Sequence, residues 1–326
     1  MLRRNSTGRP LHVIGSHIDP DSPVLRACDE GFPEPELNPD AYVHWALAFA
    51  RTHGVDVLVP RLHMDVLADA REQFARIGTR LMCADGDTVR LFADKAAAYR
   101  AASELMLPVP PFHVAVGSAA LRDAYAHLAD GGQPVCVKPT HGAGGAGYRV
   151  LTTAAVELDE LLGRVRSRAD LDSYCAALDR AEHDGLQLPE LLVLPYLTGP
   201  ELSIDVLATE AGSMLAAIGR GRSLRRRLLI DDPAAVEVAR TLVSAHRVAF
   251  LSNVQVRYWQ APGDAVPRPY LLEVNTRISG GLFQTALAGV NLPWDAVRLI
   301  LGEQVERPHP VFGAAFTTVA SLVELG

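Results

Sequence analysis

A glycine-rich segment between two strand-like runs constrains the fold of this chain more than any other feature. Residues 136–151 are CVKPTHGAGGAGYRVL, and Gly142, Gly144 and Gly147 satisfy the spacing GxGxxG. In a dinucleotide-binding turn, that pattern follows a strand and opens a helix whose N-terminus faces the pyrophosphate. Here it is followed by YRVL, which has the character of a strand. The pattern therefore predicts a glycine-rich flap that joins two strands and can lay backbone N–H groups over phosphates.

The use of lysine supports a phosphate site. Only two of the 31 lysines and arginines are lysines, Lys95 and Lys138, and Lys138 lies at the entrance of the flap. A compact ammonium is not interchangeable with a planar guanidinium at a crowded phosphate site, whereas arginine can replace it freely on the surface. Asp94 is a good helix N-cap, which places Lys95 in a first turn where a docked anion would offset its repulsion by the helix dipole. The alternatives are a flexible hairpin without a ligand and a surface lysine.

Two strand-like runs, NVQVRYW and YLLEVNTR, predict a cation site. Alternate residues of a strand share a face, so Glu273, Asn275 and Arg277 point the same way. If the hairpin between the runs is centred near Asp264, Gln255 pairs with Glu273. One carboxylate and two carboxamides form an oxygen-only ligand set that suits Mg²⁺, whereas Zn²⁺ prefers His or Cys. The alternative is a solvated polar face of a half-exposed sheet.

The order of predicted elements gives the fold class. Strand-like runs alternate with helix-like stretches up to residue 93, which predicts an α/β domain with a small, doubly wound parallel sheet. Beyond the LPVPP run, several strands are joined by short loops, which favours antiparallel pairing and an α+β assembly. The strands of the first part are predicted at 11–16, 55–60 and 79–84, with helices at 40–52 and 65–76. Later strands are predicted at 111–116, 134–139, 148–151, 191–197, 202–208, 213–219, 251–259 and 268–276, with helices at 153–166, 170–183, 233–248, 281–289 and 293–301.

Composition excludes several classes of protein. With 48% hydrophobic and 21% charged residues, the chain is an ordinary globular protein. Its formal charge of −7 gives no reason to expect nucleic acid or an anionic membrane as a partner. The four cysteines form no CxxC pair, which is typical of reduced thiols in the cytoplasm. No apolar run reaches the length of a membrane span, about 18 residues, and the first residues lack the apolar core of a signal peptide.

Two further clusters are candidates for contacts with a substrate. The run GRGRSLRRR follows a strand, and its first arginines, Arg220 and Arg222, are placed to bind an anionic group. In a chain this rich in arginine, a solvated run of charge is an equally good interpretation. In the first domain, the loop GSHIDPDS contains Ser16 and His17 at the carboxyl end of a strand, where ligands of parallel sheets bind.

The ordered set of motifs resembles the ATP-grasp superfamily. It runs through residues 94–281 as an Asp-Lys pair, a strand lysine with a glycine-rich loop, a hinge ending in Gly-x-Glu, a glutamine and finally Glu-x-Asn-x-Arg. The carboxylate–amine ligases and the synthetase domains of carbamoyl phosphate synthetase are the most similar members, with an NxRxSGG-like ending. The resemblance implies an N-terminal pre-ATP-grasp domain at 1–93, a lid subdomain with the flap at 94–195, and a C-terminal subdomain with the metal site at 196–326.

The resemblance also implies roles for individual residues. ATP phosphates would contact the two lysines and the closing flap, and the backbone of the hinge would contact adenine, where this chain lacks the acidic residue common in relatives. The residues implied for ATP are Lys95, Lys138, His141, Gly142, Gly144, Gly145, Leu194, Pro195, Tyr196, Leu197 and, on the ribose, Glu201. Those implied for Mg²⁺ or Mn²⁺ are Gln255, Glu273 and Asn275. Arg277 would neutralise the transferred phosphoryl group together with Lys138, and the substrate would contact Ser16, His17, Arg220, Arg222, Gly280 and Gly281.

The activity that the resemblance implies is ATP-dependent ligation. A small-molecule carboxylate, such as that of an amino acid, would be phosphorylated to an acylphosphate, and an amine would then displace phosphate. Two alternatives remain: a nucleotide-binding regulatory module without turnover, and a synthetase of the carbamoyl-phosphate or carboxylase type. The latter usually works with a second active site or a biotin carrier, and the expectation is that this chain has neither. A homodimer is compatible with the sequence.

Overall fold

The computed structural model describes residues 1–129, 132–142, 144–153, 168–223, 226–317 and 319. The chain divides into two compact units that are interleaved along the sequence. Unit 1 consists of Met1–Arg90, Leu202–Val254 and Asn275–Gly326, and unit 2 consists of Leu91–Glu201 and Gln255–Val274. The three consecutive segments inferred from the sequence, 1–93, 94–195 and 196–326, stay a prediction.

The strands and helices are as follows in chain order. The strands are β1 Ile14–His17, β2 Glu30–Pro33, β3 Val57–Leu58, β4 Arg80–Leu81, β5 His113–Ala115, β6 Val135–Pro139, β7 Arg149–Thr152, β8 Arg168–Asp170, β9 Leu191–Pro195, β10 Glu201–Ala208, β11 Met214–Ser223, β12 Arg226–Ile230, β13 Phe250–Trp259, β14 Arg268–Asn275 and β15 Ala315–Phe316. The α-helices are α1 Pro39–Thr52, α2 Met64–Asp69, α3 Arg71–Arg76, α4 Gly86–Ala93, α5 Lys95–Glu104, α6 Gly117–Leu128, α7 Leu171–His183, α8 Pro233–Ala245 and α9 Leu292–Ile300. Short 3₁₀ helices occupy Leu2–Arg4, Leu25–Ala27 and Leu282–Ala288.

The N-terminal part of unit 1 is α/β with parallel pairing, as predicted. Its strands form two separate two-stranded sheets, β1 with β2 and β3 with β4, instead of the single sheet that the sequence suggested. Strand β2 was missed because its residues EGFP include a glycine and a proline, which sequence patterns assign to turns. The single helix predicted at 65–76 is two helices that meet at Ala70.

The rest of unit 1 is built around an antiparallel sheet. Strands β10, β11, β12 and β15 follow one another in that order, and each pair is antiparallel. Strand β13 is the neighbour of β10 in the sheet order. The apolar core of this unit includes Leu207, Ile218, Phe250 and Trp294, all of them fully or almost fully buried. The segment 281–289, predicted as an α-helix, is a 3₁₀ helix.

Unit 2 contains a five-stranded sheet of order β5-β9-β6-β7-β8. The pairs are antiparallel except for β7 with β8, which is parallel. Helices α6 and α7 supply Leu121 and Leu178 to a core that also contains Val137 and Val193 of the sheet. The helix predicted at 153–166 lies outside the described residues except for its first position.

The hairpin of β13 and β14 was predicted from its proline- and glycine-rich connection. In unit 2 the ring of Trp259 on β13 packs edge-on against Tyr270 on β14, with centroids 5.2 Å apart. The two strands are neighbours in the sheet order. The register that would set Gln255 opposite Glu273 stays a prediction. Across the part of the chain that the structure describes, no helix is both long enough and apolar enough to span a membrane.

Candidate functional site

Lys138 lies on β6, one residue before the strand ends and the flap begins. Its Nζ donates to the backbone oxygen of Leu272 at 3.0 Å and to the hydroxyl of Tyr99 at 3.4 Å. The same Nζ lies 5.3 Å from the centroid of the Tyr99 ring. Burial lowers the pKa of Lys138 to about 8, although the charge of Glu273 opposes this shift. The ammonium is therefore fixed in a poorly solvated position beside the flap.

Lys95 is the first residue of α5, and Asp94 caps that helix by accepting from Ala96 N at 2.8 Å. The interpretation of Lys95 as a surface lysine is wrong, because only 9% of the residue is exposed. Its Nζ donates to the backbone oxygen of Gly142 in the flap at 2.7 Å. Burial lowers the pKa of Lys95, and the charge of Glu273 again opposes the shift. Unit 2 therefore brings both lysines of the chain into the field of one carboxylate.

The flap between β6 and β7 joins two antiparallel strands, as its sequence predicted. A strand, not a helix, follows the glycines, so the segment is not a dinucleotide-binding turn. Its glycines are exposed and have positive φ at the four positions described, Gly142, Gly144, Gly145 and Gly147. A Cβ on Gly147 would lie 2.7 Å from Cδ of Pro139, so the base of the flap needs glycine. His141 is exposed and its Nδ1 lies 3.0 Å from the hydroxyl of Thr140.

The predicted adenine-binding hinge follows strand β9. Leu194, Pro195 and Leu197 are buried, and Tyr196 is partly exposed. Strand β9 pairs with β6 as far as Pro195, but its register with β5 ends at Val193. Tyr196 N donates to the backbone oxygen of Pro134 at 2.6 Å, which holds the start of the hinge. The main chain at Tyr196 is thus tied to the residue that precedes β6, and contact of this segment with adenine stays a prediction.

Arg257 is a residue of this region that the sequence interpretation missed. Its guanidinium lies over the ring of Tyr196, 5.5 Å from the centroid, and its Nη2 is 3.7 Å from the carboxylate of Glu201. Arg257 thereby connects the predicted adenine segment with the predicted ribose ligand. Its position two residues after Gln255 on β13, on the same face of the strand, was the available signal.

The predicted metal ligands are distributed along the hairpin. On β14, Glu273 and Asn275 are partly exposed and Val274 between them is buried, which confirms the predicted alternation at these three positions. Gln255 and Glu273 belong to unit 2, and Asn275 is the first residue of the last segment of unit 1. Within the described ranges, no group of three or more His, Cys, Asp or Glu residues could hold a metal ion. The ligand set of Gln255, Glu273 and Asn275 stays a prediction from the sequence.

Arg277 belongs to unit 1, where it has a second arginine as a neighbour. Burial lowers the pKa of Arg61, and the positive charge of Arg277 lowers it further. Arg277 Nη1 lies 3.4 Å from the backbone oxygen of Ile278. Arg61 was missed by the sequence interpretation, although it follows strand β3 at its carboxyl end, the position at which parallel sheets bind ligands.

Ser16 and His17 are the last two residues of β1. Ser16 donates to the carboxylate of Glu34 at 2.7 Å, and Tyr42 donates to the other oxygen of that carboxylate at 2.7 Å. The ring of His17 contacts the backbone of Asp19 instead. Burial, followed by the contact with Glu34, raises the pKa of Tyr42. Glu34 and Tyr42 carried no motif that would have identified them from the sequence.

Arg220 and Arg222 both lie on β11, but their surroundings differ. Arg220 forms an ion pair with the buried Asp205, with Nε at 2.5 Å from Oδ2, and its guanidinium lies against Gly281. Arg222 is exposed and pairs in register with Arg227 of β12. A Cβ on Gly280 would meet open space. The structure therefore brings Arg220 and Gly281 together and does not bring Arg222 to them; residue 225 of the same run lies outside the described residues.

Comparisons with known proteins agree with this architecture. A family model described as ATP-grasp in the biosynthetic pathway with Ter operon matches residues 187–321. A pyruvate carboxylase component from Methanothermobacter thermautotrophicus is 26% identical over 249 residues, which cover 72% of this chain and 46% of that protein. The chain thus spans about half the length of this curated relative.

Solved structures share the fold at low sequence identity. The biotin carboxylase domain of 2-oxoglutarate carboxylase from Hydrogenobacter thermophilus, in complex with MgADP, ADP and bicarbonate, has a TM-score of 0.63 at 18% identity, over 93% of this chain and 67% of that one. The ADP complex of N5-carboxyaminoimidazole ribonucleotide synthetase has a TM-score of 0.62 at 13% identity, over 90% and 71%. The family model thus matches an ATP-grasp description over residues 187–321, and the solved structures show that the chain shares the fold of ATP-grasp proteins.

Proposed function

We propose that this protein is an ATP-dependent ligase that joins a small-molecule carboxylate to an amine through an acylphosphate. The observation that carries the proposal is the arrangement of Lys95, Lys138 and Glu273 in unit 2. Two partly or fully buried ammonium groups lie beside the glycine flap, and both have lowered pKa values because of burial. Burial of two cations is costly unless an anion compensates them. A polyphosphate chain supplies that anion.

The proposed chemistry has two steps. A carboxylate oxygen of the substrate attacks the γ-phosphorus of ATP; an O–P bond forms, the bond to the β,γ-bridging oxygen breaks, and ADP leaves with that electron pair. The amine nitrogen then attacks the acyl carbon, the C–O bond to phosphate breaks, and inorganic phosphate leaves as the nitrogen loses its proton. The lysines and Arg277 would stabilise charge on the phosphoryl oxygens, which is the main source of catalysis in phosphoryl transfer.

The residues at the hairpin fit a magnesium ion. Glu273 offers a carboxylate, and Gln255 and Asn275 offer amide oxygens, a hard oxygen set of the kind Mg²⁺ and Mn²⁺ prefer. When bound, the ion would neutralise phosphate charge. The hinge residues 194–197 would contact adenine through their main chain and Glu201 the ribose, with Arg257 holding Glu201 and Tyr196 in place. A closing flap would exclude the water that otherwise hydrolyses an acylphosphate.

A panel of substrates tests the proposal. The protein is incubated with MgATP and amino acids or other small carboxylates, singly and in pairs with amines, and ADP is measured by a coupled assay. Hydroxylamine in parallel reactions traps an acylphosphate as a hydroxamate. Carboxylate-dependent ADP and hydroxamate are the expected results. Absence of both across a broad panel would contradict the proposal, and ATP binding without turnover would favour a regulatory nucleotide-binding module.

A carboxylase-type reaction is a second candidate, because the curated relative and one of the similar solved structures carry carboxylase names. In that case bicarbonate would be the carboxylate that is phosphorylated. Bicarbonate-dependent ADP release without any organic carboxylate would identify this reaction, and its absence would leave the ligase. The four cysteines are free thiols, which supports our further proposal that the protein acts in the reducing cytoplasm on small molecules, as a monomer or a homodimer.

A further inference from the structure

A buried carboxylate in unit 1 organises a polar network that the ATP site does not use. Asp205 on β10 has no exposed surface, yet three side chains donate to it. Arg220 donates from Nε to Oδ2 at 2.5 Å, Ser279 donates its hydroxyl to Oδ1 at 2.7 Å, and Asn253 donates its Nδ2 to Oδ1 at 2.8 Å. The oxygens of this buried carboxylate are satisfied by charged and neutral donors, which compensates for its burial.

The network fixes one guanidinium in a single orientation. Arg220 is held at Nε by Asp205, and at Nη2 by the hydroxyls of Ser279 at 3.0 Å and Ser203 at 3.2 Å. Arg220 and Ser203 are register partners of β11 and β10, so the backbone ladder sets their separation. A guanidinium has five N–H donors in a rigid plane, and two contacts to one carboxylate fix that plane.

The third nitrogen of this guanidinium remains available. Among the described residues, no hydrogen bond involves Nη1 of Arg220, and 12% of the side chain is exposed. Nη1 is the guanidinium atom nearest to Gly281, where an added Cβ would also come within 2.6 Å of Cζ. The neighbouring Gly280 borders open space. The guanidinium fills the space beside Gly281, and Gly280 leaves room next to a donor that already has a fixed direction.

The segment after β14 is held by the same carboxylate. Ser279 lies two residues after Arg277, and its hydroxyl bridges Asp205 and Arg220. Asp205 thereby determines both the orientation of the Arg220 guanidinium and the position of the turn that contains Gly280 and Gly281. Because the ion pair has little net charge, Arg220 would recognise an anion by directed N–H groups more than by surplus charge.

We propose that Asp205 is a positioning residue: with Ser279, it holds Arg220 so that Nη1 binds an anionic oxygen of the carboxylate substrate beside Gly281. The inference rests on the proposed ligase function and deepens it. Neither Asp205 nor Ser279 would touch the substrate. Glycine at 281 is required because any side chain there would occupy the space of the guanidinium.

Steady-state kinetics with the carboxylate identified by the substrate panel provide the test. Arg220→Ala and Asp205→Asn are each expected to raise KM for the carboxylate at least tenfold and to change KM for ATP less than twofold. The matched control is Arg240→Ala on α8, an exposed arginine paired with Glu237, which should change neither constant. Equal effects on both KM values, or no effect on the carboxylate KM, would overturn the inference.

Chemical rescue separates positioning from mere structural support. Guanidinium ion at concentrations well below those that unfold proteins should restore activity to Arg220→Ala, because Asp205 remains to bind it. The double variant Arg220→Ala, Asp205→Asn should show no rescue. Rescue of equal size in both would overturn the role of Asp205. In the same way, Gly281→Ala should raise the carboxylate KM in the parent but add nothing in the Arg220→Ala background; additive effects would contradict a shared mechanism.

The outcome separates this inference from the proposed function. A parent protein that releases no ADP with any carboxylate would overturn the ligase proposal and this inference with it. A parent that turns over normally, with variants that keep its carboxylate KM, would overturn this inference alone.

Discussion

Replacing Lys138 by arginine tests whether the shape of the cation matters as much as its charge. The ammonium is confined between the ring and hydroxyl of Tyr99, which is fully buried, and the backbone oxygen of Leu272 at 3.0 Å. A guanidinium is larger and planar, and its insertion into a packed site typically costs about 1–3 kcal/mol. If misalignment of the ATP phosphates raises the activation free energy by this amount, kcat/KM for ATP decreases by about 5- to 150-fold.

The assay is steady-state ADP release at varied MgATP, with melting temperature measured for each variant to confirm folding. Lys138→Met keeps the length of the side chain and removes the charge, so it should lose at least as much kcat/KM as Lys138→Arg. Arg240→Lys provides the matched control, because it exchanges the same two side chains at an exposed ion pair with Glu237 and should leave kcat/KM unchanged. A Lys138→Arg variant with near-parental kcat/KM would refute the reasoning, since charge alone would then be sufficient.

Three further predictions concern the same unit. Burial lowers the pKa of Lys138 from 10.5 to about 8, so between these pH values the unfolded chain binds a proton that the folded chain does not. The free energy of unfolding should therefore rise with pH across this window. Urea unfolding at pH 7.5 and at pH 10 measures the rise, which should be absent in Lys138→Met. Glu273→Gln should weaken the binding of MgATP by about tenfold or more through loss of a charged metal ligand, with little effect on metal-free ATP, as measured by calorimetry; equal weakening of both would contradict the metal role. Gly147→Ala should lower kcat/KM for ATP, because Gly147 has a φ of +74° and an added Cβ would clash with Pro139. The control is Gly185→Ala, which has the same φ in open space outside the flap and should cause similar backbone strain without loss of activity. Equal kinetic losses in the two variants would contradict a role for the flap.

Strong local patterns predicted most of the fold. Each of three elements had its own local signal. Glycines between two strands predicted the flap, a proline-rich connection predicted the β13–β14 hairpin, and an Asp N-cap predicted helix α5. Strand β2 had no such signal, because its four residues include a glycine and a proline. The interleaving of the two units could not be predicted either, since it depends on contacts between residues far apart in the sequence.

Residues of the candidate site could be predicted from the sequence where their residue type is rare in this chain. Both lysines were predicted as site residues because lysine is rare in this chain. The structure places them beside the flap and in the field of Glu273, with Lys95 buried and Lys138 partly exposed. Arg257 and Asp205 escaped notice because arginine and aspartate are common in this chain, and only the register of neighbouring strands shows what they contact. Sequence patterns identify which residues share a strand face, but partners across strands require the register.

The transfer of an isotope tests the central claim of an acylphosphate most directly. The carboxylate that supports the fastest ADP release is prepared with ¹⁸O in both carboxyl oxygens and incubated with the protein, MgATP and the amine. An acylphosphate requires that one carboxyl oxygen leave with phosphorus, so mass spectrometry should find one ¹⁸O in each inorganic phosphate formed. Unlabelled phosphate, formed in step with the amide product, would show that the carboxylate is not phosphorylated and would contradict the account.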